Sequence, residues 1–283
     1  MAAEPAFVTV DGRPVAYLDE GPRDGAPVVL LHGGGIDRAR RSWRETLPTL
    51  TGTYRAIAPD LPGYGDSASL GPVQDLGTLG GWLAGFLEAV SAPPAHVVGN
   101  SMGGGMGLWL AVHAPERVRS LVLVGSYGLA PRAPVHPLLW LWTKGPGGAM
   151  IPRLVARRRL AARAALTGVF RRPSRVTGAL VDEMHDEARV QARNQAFRAF
   201  LRGEVAPWRY RTTFGDRLDR ITCPVLVVHG KGDRLIGWRH ARRAAQALPH
   251  GELLLMDAGH WPMREAPQDF TAALGNFLER VSH

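Results

Sequence analysis

Ser101 stands in the stretch His96 to Gly105, HVVGNSMGGG, where two patterns meet: an apolar β-type run ending at Val98 and a helical spacing (Met106, Leu108, Leu110, Ala111) beginning just after the serine. A seryl hydroxyl is a weak nucleophile. It becomes useful when a base lies within hydrogen-bond reach and donors await the oxyanion that its attack creates. A strand that turns abruptly into a helix supplies part of this, because it holds the hydroxyl at the sheet edge with the first amides of the helix pointing at the reacting group. Gly99 and Gly103 flank Ser101 where the turn leaves no room for a side chain. In a chain with 34 glycines that pentapeptide decides little by itself, so its partners must be found where the geometry demands them.

They occur in order. An apolar run, Pro27 to Leu31, precedes the serine and ends in His32-Gly33-Gly34-Gly35. A further run, Pro224 to His229, is followed by Gly230-Lys231-Gly232-Asp233, which places a carboxylate just past a strand end. Glu252 to Met256 then leads to His260. Nucleophile, acid and base thus follow one another as Ser101, Asp233, His260, one of the three chain orders in which such triads recur.

With His32-Gly33-Gly34, Asp60-Leu61-Pro62-Gly63-Tyr64-Gly65-Asp66-Ser67, Gly99-Asn100-Ser101-Met102-Gly103-Gly104, Pro115-Glu116-Arg117-Val118, His229-Gly230-Lys231-Gly232-Asp233 and Gly259-His260, the chain resembles α/β-hydrolase-fold enzymes over nearly its whole length. The resemblance implies an acyl-enzyme route in which His260 takes the proton of Ser101, Asp233 orients His260, and the amides of Gly34 and Met102 hold the oxyanion. Some members carry the acid after an earlier strand, but Gly125-Ser126-Tyr127-Gly128 offers no carboxylate there. A serine at the elbow disfavours the alkyl-enzyme chemistry of members that use aspartate. Gly-Asn-Ser-Met-Gly-Gly, His260-Trp261 and Glu187-Ala188-Arg189 are also similar to the hydrolases that cleave carbon-carbon bonds of ring-opened aromatic products, which would give Asn100, Arg189 and Trp261 contacts to a polar dienoate end. Ile36-Asp37-Arg38-Ala39 and Ser42-Trp43 depart from that group's pattern. The broader expectation is therefore a serine hydrolase of ester or related acyl bonds in a small, mostly apolar molecule. Carbon-carbon hydrolysis is the alternative, and a binding protein that kept the fold without turnover is the third reading.

The elements that must position these residues read as a mostly parallel eight-stranded sheet flanked by helices, the α/β-hydrolase architecture. Phe7 to Val10, a turn at Asp11-Gly12, and Val15 to Leu18 predict an antiparallel edge hairpin. The uninterrupted apolar run Val28 to Leu31 predicts a strand buried on both faces. Ser42 to Leu50 reads as a short helix, Tyr54 to Ala58 and Ser120 to Val124 as strands, and Gly77 to Val90, Met102 to His113, His240 to Ala247 and Pro267 to Val281 as helices. From about Pro131 to Gly215 the strand-helix alternation stops. An aromatic stretch (Leu138 to Trp142), a break at Gly145 to Gly148 and two helices, Arg153 to Val169 and about Ser174 to Leu201, replace it. The expected organisation is a core in residues 1–130 and 216–283 with a helical cap, 131–215, over the nucleophile, and Trp140 and Trp142 are candidates to face the substrate.

Other residues read as structural. His32 beside the glycines is an anchor, Asp60 and Asp66 shape their loop, and Cys223 fills space. The net charge of +9 is concentrated in residues 132–217, which hold seventeen Lys/Arg against six Asp/Glu. Those arginines recur at helical spacing as a solvated face and no nucleic-acid module accompanies them, so nucleic-acid binding is not expected. No apolar run approaches the roughly 18 residues of a membrane span, and MAAEPAFVTVDG lacks a leader's layout. The lone cysteine admits no internal disulfide. The expectation is a cytoplasmic enzyme without cofactor or metal, acting on a small molecule, without stable membrane insertion, and with a homodimer left open.

Overall fold

The structure, a computed structural model, describes residues 4–282. Met1-Ala2-Ala3, the start of the stretch read for a leader, and His283 lie outside the described residues. Strands β1 (Ala6–Val10), β2 (Arg13–Glu20), β3 (Pro27–Leu31), β4 (Arg55–Pro59), β5 (Ala95–Asn100), β6 (Val118–Val124), β7 (Val225–Gly230) and β8 (Gly251–Met256) form one sheet. Their order is β1-β2-β4-β3-β5-β6-β7-β8. The hairpin β1-β2 and the β2-β4 pair are antiparallel, and every other neighbouring pair is parallel. Asp11 and Gly12 close the hairpin with φ of 49° and 74°, the paired left-handed residues of a tight two-residue turn.

The strands β3, β5 and β7 are buried at every position because helices cover both faces of the sheet. On one face, Val29 and Leu31 belong to one core with the buried side chains of α3 (Leu76–Ala89), α4 (Met102–His113) and, further along the sheet, α10 (Trp238–Ala247). On the other, Val28 and Leu30 meet α1 (Ala39–Ser42), α2 (Leu47–Leu50) and α12 (Pro267–Val281), the last presenting the expected stripe Phe270, Leu274, Phe277 and Leu278. A further short helix, α11 (Pro262–Glu265), precedes α12. The stretch read as one helix from Ser42 to Leu50 instead holds the end of one single turn and a second one, separated by residues 43–46, of which Trp43 has a fully buried ring.

Between β6 and β7 run five helices: α5 (His136–Lys144), α6 (Gly147–Arg157), α7 (Arg159–Val169), α8 (Gly178–Asn194) and α9 (Ala196–Glu204). Two differ from expectation. The helix expected over Arg153 to Val169 is interrupted at Arg158, whose backbone is extended (φ −138°, ψ 114°). The long helix expected to Leu201 breaks at Gln195, at φ 56°, which ends α8 and starts α9 in a new direction. Both breaks lie at residues that ordinarily continue a helix, so no glycine or proline marks them.

Glu204, at the end of α9, ties this segment to the core. It is buried and accepts from Leu76 N (2.8 Å), Tyr127 Oη (2.9 Å), Thr212 N (3.1 Å) and Thr212 Oγ1 (3.0 Å). Among the described residues no helix is long and apolar enough to cross a membrane.

Candidate active site

The chain leaves β5 and enters α4 through Ser101 itself, held at φ 50° and ψ −112°, a conformation that non-glycine residues rarely adopt. Surrounding structure enforces it: Ser101 N donates to Val124 O (2.8 Å), and Ser101 O accepts from Tyr127 N (2.9 Å). A Cβ on Gly99 would run into the backbone of Gly103, and one on Gly103 into the carbonyls of Leu31 and His32. Both glycines are therefore steric requirements of the turn, as the sequence pattern implied.

Asp233 lies just past β7 and His260 shortly past β8, so adjacent parallel strands deliver both to the same sheet edge. His260 Nδ1 donates to Asp233 Oδ2 at 2.7 Å, which leaves Nε2 as the acceptor a general base needs. Asp233 Oδ1 accepts from the amides of Leu235 (2.8 Å) and Ile236 (3.0 Å), and His229 Nε2 stands 3.1 Å from Oδ2. Burial works against ionising this carboxyl, but the facing imidazoles of His260 and His229 outweigh it and hold Asp233 well below the usual carboxylate range. Gly125, at φ 51°, makes room for this imidazole, since a Cβ there would lie 3.2 Å from His260 Nδ1. His260 N also donates to Val169 O (2.8 Å), which anchors the base to the end of α7.

The amides of Gly34 and Met102 donate to no acceptor among the described residues, while that of Gly33 is taken by Asp37 Oδ2 (3.0 Å). Asp37 is fully buried and also accepts from Ser42 Oγ (2.7 Å), so it fixes the glycine loop, a role the sequence analysis missed. His32 is an anchor: Nδ1 donates to Gly33 O (2.8 Å) and Nε2 accepts from Leu61 N (3.0 Å). Asp60 likewise shapes its loop by accepting from the amides of Ala39 and Asp66, each at 2.9 Å.

Ser101, His260 and Gly34 line one cavity of about 300 Å³, walled largely by apolar side chains such as Ile36, Ile151, Met184 and Phe197. Trp142 and Trp261 line it as well. Three sequence-derived contacts do not. Arg189 lies on the exposed side of α8 and pairs with Asp186 at 3.0 Å, because Met184, Glu187, Ala188 and Gln191 occupy the buried stripe of that helix. Trp140 packs half-buried against the core two positions, roughly 200° of helical rotation, from Trp142. Asn100 is fully buried beneath the glycine loop, close enough that a Cβ on Gly33 would lie 2.8 Å from its Nδ2. The polar wall of the cavity comes instead from Gln191, Gln195 and Arg198 around the α8-α9 break.

Glu187, midway along α8, lines a cleft together with Arg38 and Arg41 at the start of α1. Burial pushes its carboxyl up to about 8, with Asp60 and Asp37 adding to the shift and Arg38 and Arg41 opposing it. A second Ser-His contact, His96 Nδ1 to Ser120 Oγ at 2.8 Å, lies toward the amino ends of β5 and β6, where His96 Nε2 meets Ser282 Oγ. Burial lowers that imidazole to about 4, and its position at the opposite end of the strands from Ser101 makes it a structural pair.

Comparison with known proteins bears on the family and the fold. Residues 26–267 match the family described as alpha/beta hydrolase fold. The chain is 33% identical over 280 residues to the dihydrolipoyllysine-residue acetyltransferase component of the acetoin cleaving system of Cupriavidus necator, covering 98% of this chain and 70% of that protein. It is 29% identical over 283 residues to the 2-hydroxy-6-oxo-6-(2'-aminophenyl)hexa-2,4-dienoic acid hydrolase of Metapseudomonas resinovorans, covering 97% and 90% of the two chains. The crystal structure of a serine hydrolase involved in carbazole degradation superposes with a TM-score of 0.81 at 27% identity, over 98% of this chain and 99% of that one.

Proposed function

The chain belongs to the alpha/beta hydrolase fold family, and from that premise we propose that it is a serine hydrolase of ester or related acyl bonds in a small, largely apolar substrate. The observation that carries the proposal is the 2.7 Å pair of His260 and Asp233 opening onto the same apolar cavity as Ser101.

The chemistry follows from the positions. His260 Nε2 removes the hydroxyl proton of Ser101 as Oγ attacks the substrate carbonyl, and the ionised Asp233 stabilises the imidazolium that results. The amides of Gly34 and Met102 receive the oxyanion. Collapse expels the alcohol with the proton from His260, and a water activated by the same base releases the acid. Apolar walls and the overlying helices exclude competing water and strengthen every electrostatic contact in the cavity.

p-Nitrophenyl butyrate tests this reading: a burst of nitrophenolate equal to the enzyme concentration, abolished in Ser101→Ala with the fold intact, is the expected result. Turnover unchanged in Ser101→Ala would refute it. The dienoic acid hydrolase among the relatives favours a second reading, carbon-carbon cleavage of a vinylogous diketone. That reading wins if such a diketone is turned over orders of magnitude faster than the ester. The outward position of Arg189 removes one of the contacts it called for, which leaves Arg198 to meet any anionic end within the cavity. The enzyme is read as cytoplasmic, in keeping with a single cysteine, Cys223, whose thiol burial pushes up to about 11.

A further inference from the structure

Leu235 belongs to two cavities. On one side is the catalytic pocket. On the other is a cleft of about 610 Å³ between the segment after β6 and the start of α10, with Tyr127, Trp208 and Tyr210 in its lining. Leu235 is half exposed, and its amide is tied to Asp233 Oδ1, so the partition between the cavities starts at the acid that orients His260.

The lining of the outer cleft includes Arg132, Arg243 and His240 and no aspartate or glutamate. Neither arginine has a carboxylate partner among the described residues, whereas Arg159 pairs with Asp182, Arg171 and Arg172 with Asp257, and Arg189 with Asp186. Trp208, at 75% exposure, presents an aromatic face at the same cleft. Burial and the neighbouring Arg243 bias His240 toward its neutral form, which makes it a hydrogen-bonding group beside two fixed charges. Unpaired guanidinium groups and an aromatic surface together suit a planar anion, which the arginines hold through charge-assisted hydrogen bonds and the indole through stacking.

We propose that this cleft receives the departing half of the substrate, and that this half is an aromatic or similarly flat group bearing an oxyanion, a carboxylate or a phosphate. The assignment rests on the hydrolase reading. The 300 Å³ cavity, which holds Ser101 and His260, then takes the acyl group and the scissile bond, the departing alcohol takes its proton from His260 there, and the rest of the departing group reaches past Leu235 into the cleft.

Three esters with one acyl group test it: 4-(butyryloxy)benzoate, 4-(butyryloxy)phenyl phosphate and the uncharged 4-(butyryloxy)benzamide. At least one anionic ester is expected to exceed the benzamide about tenfold in kcat/KM, two partly exposed ion pairs of up to fivefold each, with the gain carried by KM and shrinking as salt is added. The anion that gains more identifies the source of the oxyanion. Arg132→Gln/Arg243→Gln, both at exposed positions, is expected to erase the preference and leave benzamide turnover unchanged. Equal kcat/KM for all three esters, or a preference that survives the double variant, overturns the proposal.

A measurement without turnover separates the two readings. In Ser101→Ala, 4-hydroxybenzoate or phenyl phosphate is expected to quench Trp208 fluorescence saturably, with Trp208→Phe as the control and the effect lost in the arginine variant. Quenching with no ester hydrolysed by wild type sinks the hydrolase reading and keeps the anion site. Hydrolysis without preference or quenching sinks the site alone.

Discussion

Glu187→Gln should flatten the pH dependence of stability. The Glu187 carboxyl is buried on α8 against the core, with Oε1 lacking a hydrogen-bond partner, and its pKa rises from 4.5 to about 8 because a charge there is poorly solvated. A carboxyl with a raised folded pKa stabilises the fold fully below its unfolded pKa, and that contribution drains away as pH rises through the folded one. Between pH 4.5 and pH 8 the unfolded chain releases this proton while the folded chain keeps it. At about 1.4 kcal/mol for each tenfold difference in proton affinity, the whole interval is worth about 5 kcal/mol. Glutamine keeps the shape and the neutral state and has no proton to lose. Other titrations, such as that of His96, which acts with the opposite sign as pH falls from 6.5 towards about 4, are common to both proteins and cancel in the difference.

Urea unfolding of wild type and Glu187→Gln at intervals from pH 5 to pH 9 reads the effect directly. The two should be of similar stability at pH 5, and wild type should fall behind by several kcal/mol at pH 9, with unchanged m-values. Stability curves that run parallel within about 1 kcal/mol across that range would show that Glu187 ionises freely in the folded protein, and the account of a desolvated carboxyl between α8 and the core arginines would be wrong.

Three further outcomes follow from particular contacts. Gly125→Ala forces a residue with Cβ to φ 51° and 3.2 Å from His260 Nδ1, so kcat for p-nitrophenyl butyrate should drop about 100-fold by displacing the base, with a stability loss of about 1–3 kcal/mol by urea unfolding. Gly34→Ala drives its methyl into the ring of Phe197; Phe197→Ala should recover part of the lost activity, and a double-mutant cycle on kcat/KM should return a coupling of at least about 1 kcal/mol. Glu204→Gln sets an amide against the donors of Leu76, Tyr127 and Thr212 and should cost about 2–4 kcal/mol of stability, with kcat per folded molecule nearly unchanged.

The readable parts of the chain are those in which local pattern and tertiary outcome coincide. The helices expected over Met102 to His113 and Pro267 to Val281 form with those bounds, because a strained elbow begins the first and a proline the second. The strands that precede Asp233 and His260 were legible as short apolar runs, the first because helices cover both faces of β7, the second although β8 is a half-buried edge strand. Arg189 failed because a motif carried its role over without regard to helical phase. The stripe Leu180, Met184, Glu187, Ala188, Gln191 is visible in the sequence and turns residue 189 outward. Of the two candidate tryptophans only Trp142 lines the cavity, since residues two apart on a helix face opposite ways. Glu204 and Gly125 gave no signal at all, because each acts through contacts distant in sequence: a buried carboxylate collecting backbone amides, or a missing Cβ that leaves space for a histidine beyond another strand; Asp37 bonds only nearby residues, but a carboxylate holding a glycine loop has no spacing pattern of its own.

The break at Gln195 has the largest consequence for substrate choice and the least local warning. Had α8 continued as one helix, Phe197 and Arg198 would follow the phase of Ala188 and Gln191, and the position of the ring over Gly34 would be an accident of length. With Gln195 in the left-handed region, its amide still donates to Gln191 O (2.9 Å) while its carbonyl starts α9 by accepting from Ala199 N (3.0 Å). The chain thus pivots on one residue whose own amide and carbonyl both stay hydrogen-bonded. That pivot sets Phe197 against the oxyanion glycine and turns Gln191, Gln195 and Arg198 into the polar wall of an otherwise apolar cavity. Ser101, Asp233 and His260 are brought together by the edge of the sheet, whose strands are marked by local apolar runs. The cavity beside them is shaped by a left-handed glutamine that no local pattern marks, and that is why the fold could be read from the chain while the wall of the cavity could not.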